Sequence, residues 1–290
     1  MTSSARTSDR FNHYRKQGWW PGERLEERYK RSVLARPGSL AVADSIGRAL
    51  THADLWQRAG ELAGVLAEQG TSSGDVVLLY LPNRVEWQIA LLAVLRLQAV
   101  PASIPTKTDA STLAYVADLV RCRVMLTLEH EHERGRELVE TAAQAALEVS
   151  QELGVLCISA DGQNRWVSKP AAGEAPTDPV NGLDHVLFTS STTGLPKAVM
   201  HTADSLAALN ILFTERFSLG PDRPIFMGSP LGHSVGGIHG ARLALYNGAA
   251  LILQETWDPE AALQLIEKYR CAFTVAATPF LKDLDRKSVV

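Results

Sequence analysis

Between Asp184 and Thr202 the sequence sets residues that suit a polyphosphate at close spacing. Thr189, Ser190, Ser191, Thr192 and Thr193 form a run of five hydroxyl side chains, Gly194 ends it, and Pro196 and Lys197 follow. Successive backbone N–H groups in a turn of small residues form an anion-binding concavity. The hydroxyls add donors, and Lys197 adds a mobile positive charge. The same residue types also build an ordinary surface loop between two strands of a hairpin, and composition leaves both readings open. A Walker A loop is excluded, because it needs Gly-Lys-Ser/Thr leading directly into a helix. Here Leu195-Pro196 separates Gly194 from Lys197, no hydroxyl follows the lysine, and Ala198 to Met200 reads as a strand.

A second candidate segment is Pro230-Leu231-Gly232-His233-Ser234-Val235-Gly236-Gly237. By residue type alone, His233 reads as a hydrogen-bonded structural histidine beside glycines before it reads as a catalytic group. The run Glu129-His130-Glu131-His132-Glu133 holds metal-ligand residue types. Adjacent charged residues at a helix start do not share a face, however, so a solvated charge run is expected. His13, His52, His185, His201 and His239 carry no spacing signal of their own.

The elements that must position these residues alternate between short β-branched or aliphatic runs and longer stretches with apolar residues three and four apart, the α/β pattern. Thr51 is expected to cap a helix whose face is Leu55, Ala59, Leu62 and Leu66, with Gly70 stopping it. Val76 to Leu81 reads as a buried strand, Val85 to Leu97 as an apolar helix, and Val100 to Ile104 as a strand. Pro101 and Pro105 predict that this last strand lies near an edge or end of its sheet. A helix at 111–120, a strand at 124–127, a helix running to Leu153 and a strand at 155–159 follow. Strands near 186–189, 198–200, 225–227, 249–253 and 272–276 complete the pattern, which predicts a mostly parallel sheet. The expected organisation is a basic N-terminal arm over 1–36, a first α/β lobe over 37–159, a Pro- and Gly-rich linker over 160–182, and a second, incomplete lobe over 183–290.

The chain of 290 residues, 46% hydrophobic, is long enough for a large core and two lobes. Its net charge of −3 provides no basic footprint for a nucleic acid. The local basic excess before Arg36, with Trp19 and Trp20 among it, reads as a solvated arm lying on the body. The longest apolar runs fall short of the roughly 18 residues that span a bilayer, so a cytoplasmic location is expected. Cys122, Cys157 and Cys271 are three, far apart and without Cys-x-x-Cys spacing, and are expected as small core residues.

The stretch Thr189-Ser190-Ser191-Thr192-Thr193-Gly194-Leu195-Pro196-Lys197-Ala198-Val199 resembles the signature loop of the AMP-binding, adenylate-forming superfamily, Thr-Ser-Gly-Thr-Thr-Gly-x-Pro-Lys-Gly-Val. Members include acyl-CoA synthetases, luciferases and adenylation domains of peptide synthetases. Ser191 and Ala198 stand where that pattern has glycine. Gly74-Asp75-Val76-Val77, Leu81-Pro82-Asn83, Glu86-Trp87 and Leu95 to Pro101 are similar to the family's early segments, with Gln98 where glycine is common. Pro230 to Gly237, Gly248 to Leu253, Trp257-Asp258-Pro259 and Thr278-Pro279-Phe280 look like later acyl-CoA ligase segments, so the likeness covers nearly all of Leu40 to Leu284.

The resemblance implies two α/β lobes of an adenylate-forming N-terminal domain. It implies an AMP-forming carboxylate–CoA ligase using ATP, Mg2+ and CoA, with a carboxylic acid as substrate. The loop Thr189 to Gly194 with Lys197 would hold the β- and γ-phosphates. Lys197 and His233 would be the catalytic positions, with His233 gating the thiol, while His233, Ser234, Gly236 and Gly237 would line the acid's pocket and the two glycines would leave room for an acyl group. The metal's carboxylate, a ribose-binding aspartate and a mobile lysine belong to family segments that have no counterpart here, so the chain alone is expected to be inactive. An adenylation domain serving a carrier protein and a non-catalytic nucleotide-binding protein are the alternatives. Ser229 to Gly240 contains no acid, which disfavours an amino-acid substrate.

Overall fold

The computed structural model describes residues 12–128, 133–149, 152–159, 161–171, 182–189 and 194–288. Helix α1 (Leu25–Ala35) leads into an antiparallel pair, β1 (Leu40–Asp44) and β2 (Ala49–Thr51). Helix α2 (His52–Glu68) starts at the expected cap, where Thr51 Oγ1 accepts from Asp54 N at 3.1 Å and Asp54 Oδ2 accepts from Thr51 N at 3.0 Å. Its buried face contains Leu55, Ala59, Leu62 and Leu66. The chain then passes through β3 (Val76–Leu79), α3 (Val85–Arg96), β4 (Val100–Ser103), α4 (Ala110–Leu119), β5 (Val124–Leu128), α5 (Glu133–Glu148), β6 (Gly154–Ile158) and β7 (Arg165–Ser168). A hairpin of β8 (Leu183–Thr189) and β9 (Lys197–Thr202) follows, then α6 (Ala203–Phe217) and β10 (Ile225–Met227). A helical run begins as α7 (Ser234–Gly236), passes through a π-helical stretch, Gly237–Arg242, and ends as α8 (Leu243–Asn247). The last elements are β11 (Leu251–Leu253), α9 (Pro259–Tyr269), β12 (Phe273–Thr274) and α10 (Thr278–Ser288).

These strands form two sheets, a seven-stranded one in the order β7-β6-β5-β3-β4-β8-β9 and a five-stranded one in the order β12-β10-β11-β1-β2. Both are mostly parallel, as the alternating pattern predicts, with antiparallel pairing at β1–β2, β6–β7 and β8–β9. Helix α3 is buried from Val85 through Leu95 because it lies between the sheets, touching β1 of the small one and β3 and β4 of the large one.

The expected division of the chain at 160–182 does not separate the sheets. β8 and β9 join the strands of the expected first lobe, and β1 and β2 join β10, β11 and β12 far along the chain. Parallel partners need not be neighbours in sequence, so a composition shift does not locate a sheet boundary. Part of the expected linker is itself strand β7, paired with β6, and 172–181 lies outside the described residues. The expected arm also ends early: α1 buries Leu25 and Tyr29, and Tyr29 Oη lies 2.7 Å from His52 Nδ1. Ahead of it, Arg15 pairs with Asp204 at 2.9 Å.

Strand β4 is central, not at an edge. Val100 N–H donates to Asp75 O at 2.8 Å, so the alternation of a parallel strand turns Pro101's imide nitrogen toward β8. Registered pairing there begins only at Ala102–Val186, so no ladder bond is lost. Gln98, just past α3, has φ +57°, and its carbonyl accepts from Gly74 N at 3.0 Å. That left-handed backbone is the physical reason a glycine suits the position.

Candidate active site at the strand ends

The two candidate segments leave the same edge of the molecule. In the parallel pair β4–β8 the register sets Ala102 beside Val186 and Ser103 beside Leu187, two residues before Thr189. Thr189 pairs with Lys197 across the hairpin, so the hydroxyl-rich stretch is the connection between two strands at the carboxyl end of β8. The hairpin and the anion-binding reading are therefore compatible. Ser190, Ser191, Thr192 and Thr193 lie outside the described residues, as do His130 and His132 of the charge run. Gly194 has φ +92° with nothing within 4 Å of the position a Cβ would take, and Lys197 is exposed. Ala198 is half-buried, pairs with Phe188 and packs on the main core, so its methyl adds apolar contact where the family pattern has none.

Directly against Ile104–Pro105 lies the His233 turn. A Cβ on Gly232 would collide with the carbonyl of Ile104 and with Pro105 N. Asn83 clasps this turn from within: its Nδ2 donates to Ser229 O at 2.9 Å and Gln254 O at 3.1 Å, and its Oδ1 accepts from Leu231 N at 2.8 Å. Arg84 next to it pairs with Glu255 at 2.6 Å. The result is a cleft of about 380 Å³ between the carboxyl ends of β3 and β4 and those of β10 and β11. Its walls are Leu81 to Asn83, Pro105 to Lys107, the Pro230–His233 turn, Glu255 to Trp257, and Phe280. Carboxyl ends of parallel strands are where α/β folds bind ligands.

His233 lies on this cleft, at the residue before α7, with its N–H on Pro230 O at 3.1 Å and its carbonyl accepting from Gly237 N at 2.8 Å. Partial burial lowers its imidazole below the ordinary histidine value, favouring the neutral ring at neutral pH. Ser234 is exposed beside it. Gly236 and Gly237 are buried and do not line the cleft. A Cβ on Gly236 would collide with the carbonyl of Pro230, and one on Gly237 would come within 2.7 Å of Leu231 O. Contrary to expectation, the space they leave is filled by backbone, because the helical run crosses directly over residues 230–231. Lys107 and Glu255 on the cleft were not anticipated, since nothing in their local sequence marks them, and Trp257, noted only within a family-like segment, was given no place at a site.

Among the described residues, no group of three or more His, Cys, Asp or Glu side chains could hold a metal ion, and no helix is long and apolar enough to cross a membrane. Cys122 and Cys157 are buried core residues as expected, and Cys271 is half-buried.

The chain matches the family of AMP-binding enzymes over residues 29–289. It is 30% identical over 278 residues to the medium-chain fatty-acid–CoA ligase of Escherichia coli, an alignment covering 93% of this chain and 49% of that protein. It is 29% identical over 248 residues to an acetyl-coenzyme A synthetase of Mycobacterium tuberculosis, covering 77% of this chain and 38% of that protein. The apo structure of MbtA from Mycobacterium smegmatis superimposes with a TM-score of 0.72 at 24% identity, covering 91% of this chain and 50% of that one. This last likeness concerns the fold. The chain thus spans about half the length, or less, of the curated relatives it matches.

Proposed function

The chain belongs to the AMP-binding enzyme family, and from that premise we propose that it forms the phosphate-binding and thiol-facing part of an ATP-dependent carboxylate–CoA ligase. In the first half-reaction a carboxylate oxygen attacks the α-phosphorus of ATP, the bond from that phosphorus to the bridging oxygen breaks, and pyrophosphate leaves. In the second, a CoA thiol attacks the acyl carbon and AMP leaves with the former carboxylate oxygen. The hairpin tip from Thr189 to Gly194, with Lys197, holds the β- and γ-phosphates and neutralises charge on the departing pyrophosphate. His233, neutral at the cleft, borders the acid and gates the thiol's approach, with Ser234 beside it. Mg2+ is assigned to no residue of this chain, because the described residues offer no carboxylate set for it, and no step is routed through it here.

What supports this reading most is the common edge. The strand that leads into the hairpin is registered on β4 up to Leu187 beside Ser103, and the His233 turn packs on Ile104–Pro105 directly after Ser103. A polyphosphate at one and an acid at the other would be neighbours, and positioning is most of what such chemistry requires.

Calorimetric titration of ATP, and separately of inorganic pyrophosphate, into the purified chain tests the loop. Binding is expected, and Lys197→Ala is expected to remove most of it. Equal binding by the variant would refute the assignment. Groups for the ribose, the metal and the reacting carboxylate are assigned to the half of the relatives that this chain does not match. Acid-dependent exchange of pyrophosphate into ATP is therefore expected to be absent for the chain alone, and its appearance would overturn that division of labour.

A further inference from the structure

Beneath the site lies a fully buried polar chain that the proposed reaction does not use. Arg242, 2% exposed, ends the π-helical stretch and donates through Nη2 to the carboxylate of Asp184, 3% exposed, in β8. Its Nη1 lies 3.5 Å from His185 Nδ1. His185, fully buried, sets Nε2 2.9 Å from Ser103 Oγ at the end of β4. A guanidinium has only donors, so Nδ1 must accept. His185 is therefore the neutral tautomer with its proton on Nε2, donating to Ser103. Burial and the neighbouring Arg242 charge hold its imidazole well below the ordinary value, in agreement with a neutral ring. His201, its partner across the hairpin, is also shifted down by burial and by Arg242.

We propose that Arg242 and His185 are positioning residues, a buried relay that fixes the β8–β9 hairpin, the exit of β4 and the His233 turn in one arrangement. The proposal rests on the reading of the site given above and adds what holds its two halves in register. Each end of the relay is one element away from a candidate functional segment. Ser103 is followed, after Ile104, by Pro105 to Lys107 on the cleft, Asp184 and His185 lie on the strand leading to Thr189, and Arg242 ends the π-helical stretch of the run that begins after His233.

Two observations argue against a role in stability alone. Replacing a buried ion pair by apolar groups of similar volume is often neutral or stabilising, so such a pair is weak evidence for stability and better evidence for registry. The run also departs from α-helical geometry over Gly237–Arg242, and π-helical turns are rare and frequently sit at functional sites. The arginine fork explains the residue type. It reaches a carboxylate with one nitrogen and an imidazole with another, which a single ammonium on a flexible stem does not reproduce.

Two readouts test this without any nucleotide, so they stay interpretable even if ATP binding fails. The first is the nitrogen-15 NMR signature of the His185 ring in the unsubstituted chain, where the neutral form protonated on Nε2 is expected. A ring protonated on Nδ1, or an imidazolium at neutral pH, would overturn the relay outright. The second is the distance distribution between spin labels at Met200→Cys on β9 and Ser234→Cys after His233, in a Cys271→Ser background with the other two cysteines buried. Arg242→Met combined with Asp184→Leu is expected to remain folded, with a urea midpoint near that of the parent, while the distribution shifts or broadens and the His185 tautomers mix. Arg242→Lys should keep the ion pair and show an intermediate change. An unchanged distribution in the folded double variant would refute the proposal. So would loss of folding in the double variant together with an undisturbed distribution in Arg242→Lys.

Discussion

At the tip of the β8–β9 hairpin, Gly194 holds φ +92° in open space, whereas at the His233 turn Gly232 and Gly236 have ordinary φ and no space at all. The first glycine is required by its own backbone, the others by someone else's. The surroundings differ in the same way. The hairpin end is exposed at Gly194, Leu195 and Lys197, while the turn is clasped by Asn83 and crossed by the helical run. A segment that sets the wall of a cleft gains from many fixed contacts.

Asn83→Leu should break the clasped region most severely, because it strands Ser229 O, Gln254 O and Leu231 N together. At the usual penalty for buried unpaired groups the cost is about 4 kcal/mol, read as a lower urea midpoint. Gly236→Ala, which forces a methyl onto the Pro230 carbonyl, should cost about 3 kcal/mol in the same assay. Little change on either substitution would mean that these contacts do not hold the turn.

A smaller effect separates the two kinds of histidine. His185 stays neutral when folded, whereas the unfolded chain takes up a proton as pH falls through about 6.5. The unfolded state then binds more protons, so His185's contribution is complete above that pH and is lost as pH falls below it. His185→Gln should therefore lose stability less steeply than the parent on acidification, measured by urea titrations across pH 7 to 5, and His233→Gln should follow the parent more closely. Gly194→Ala meets no atom, so only its left-handed φ counts and the expected cost is about 1 kcal/mol. Lys197→Ala should be the mildest, within about 0.5 kcal/mol of the parent, although its loss of ATP binding should be the largest functional effect of the six. That opposition between stability and ligand binding would sharpen the contrast between the two regions more than any single value.

The elements themselves were legible because local patterns make them: Thr51 and Asp54 three residues apart form a capping box, and apolar runs at 76–79 and 124–128 form buried strands. The place of β4 was misread because Pro101 signals an edge only when its missing N–H faces a partner, and the partner begins one residue later. The close backbone approach at Gly236 and Gly237 was hidden for a related cause. A small residue marks a close approach, but its identity does not say whether ligand or backbone makes the approach. The meeting of Lys107 with Glu255 and Trp257 was invisible because the first follows β4 and the other two follow β11, and only the packing of two sheets gathers them.

Taken alone, the order of residues determined the periodicity of helices and strands, the hydroxyl-rich loop with its lysine, and the family likeness, since each is a short-range pattern that survives without knowledge of contacts. Tertiary structure decided which strands share a sheet, that the His233 turn packs on Ile104–Pro105, and that Arg242, Asp184, His185 and Ser103 form one buried chain. Those residues lie up to 139 positions apart, from Ser103 to Arg242. Parallel pairing across crossover connections is what joins them, and it leaves no local trace in the sequence.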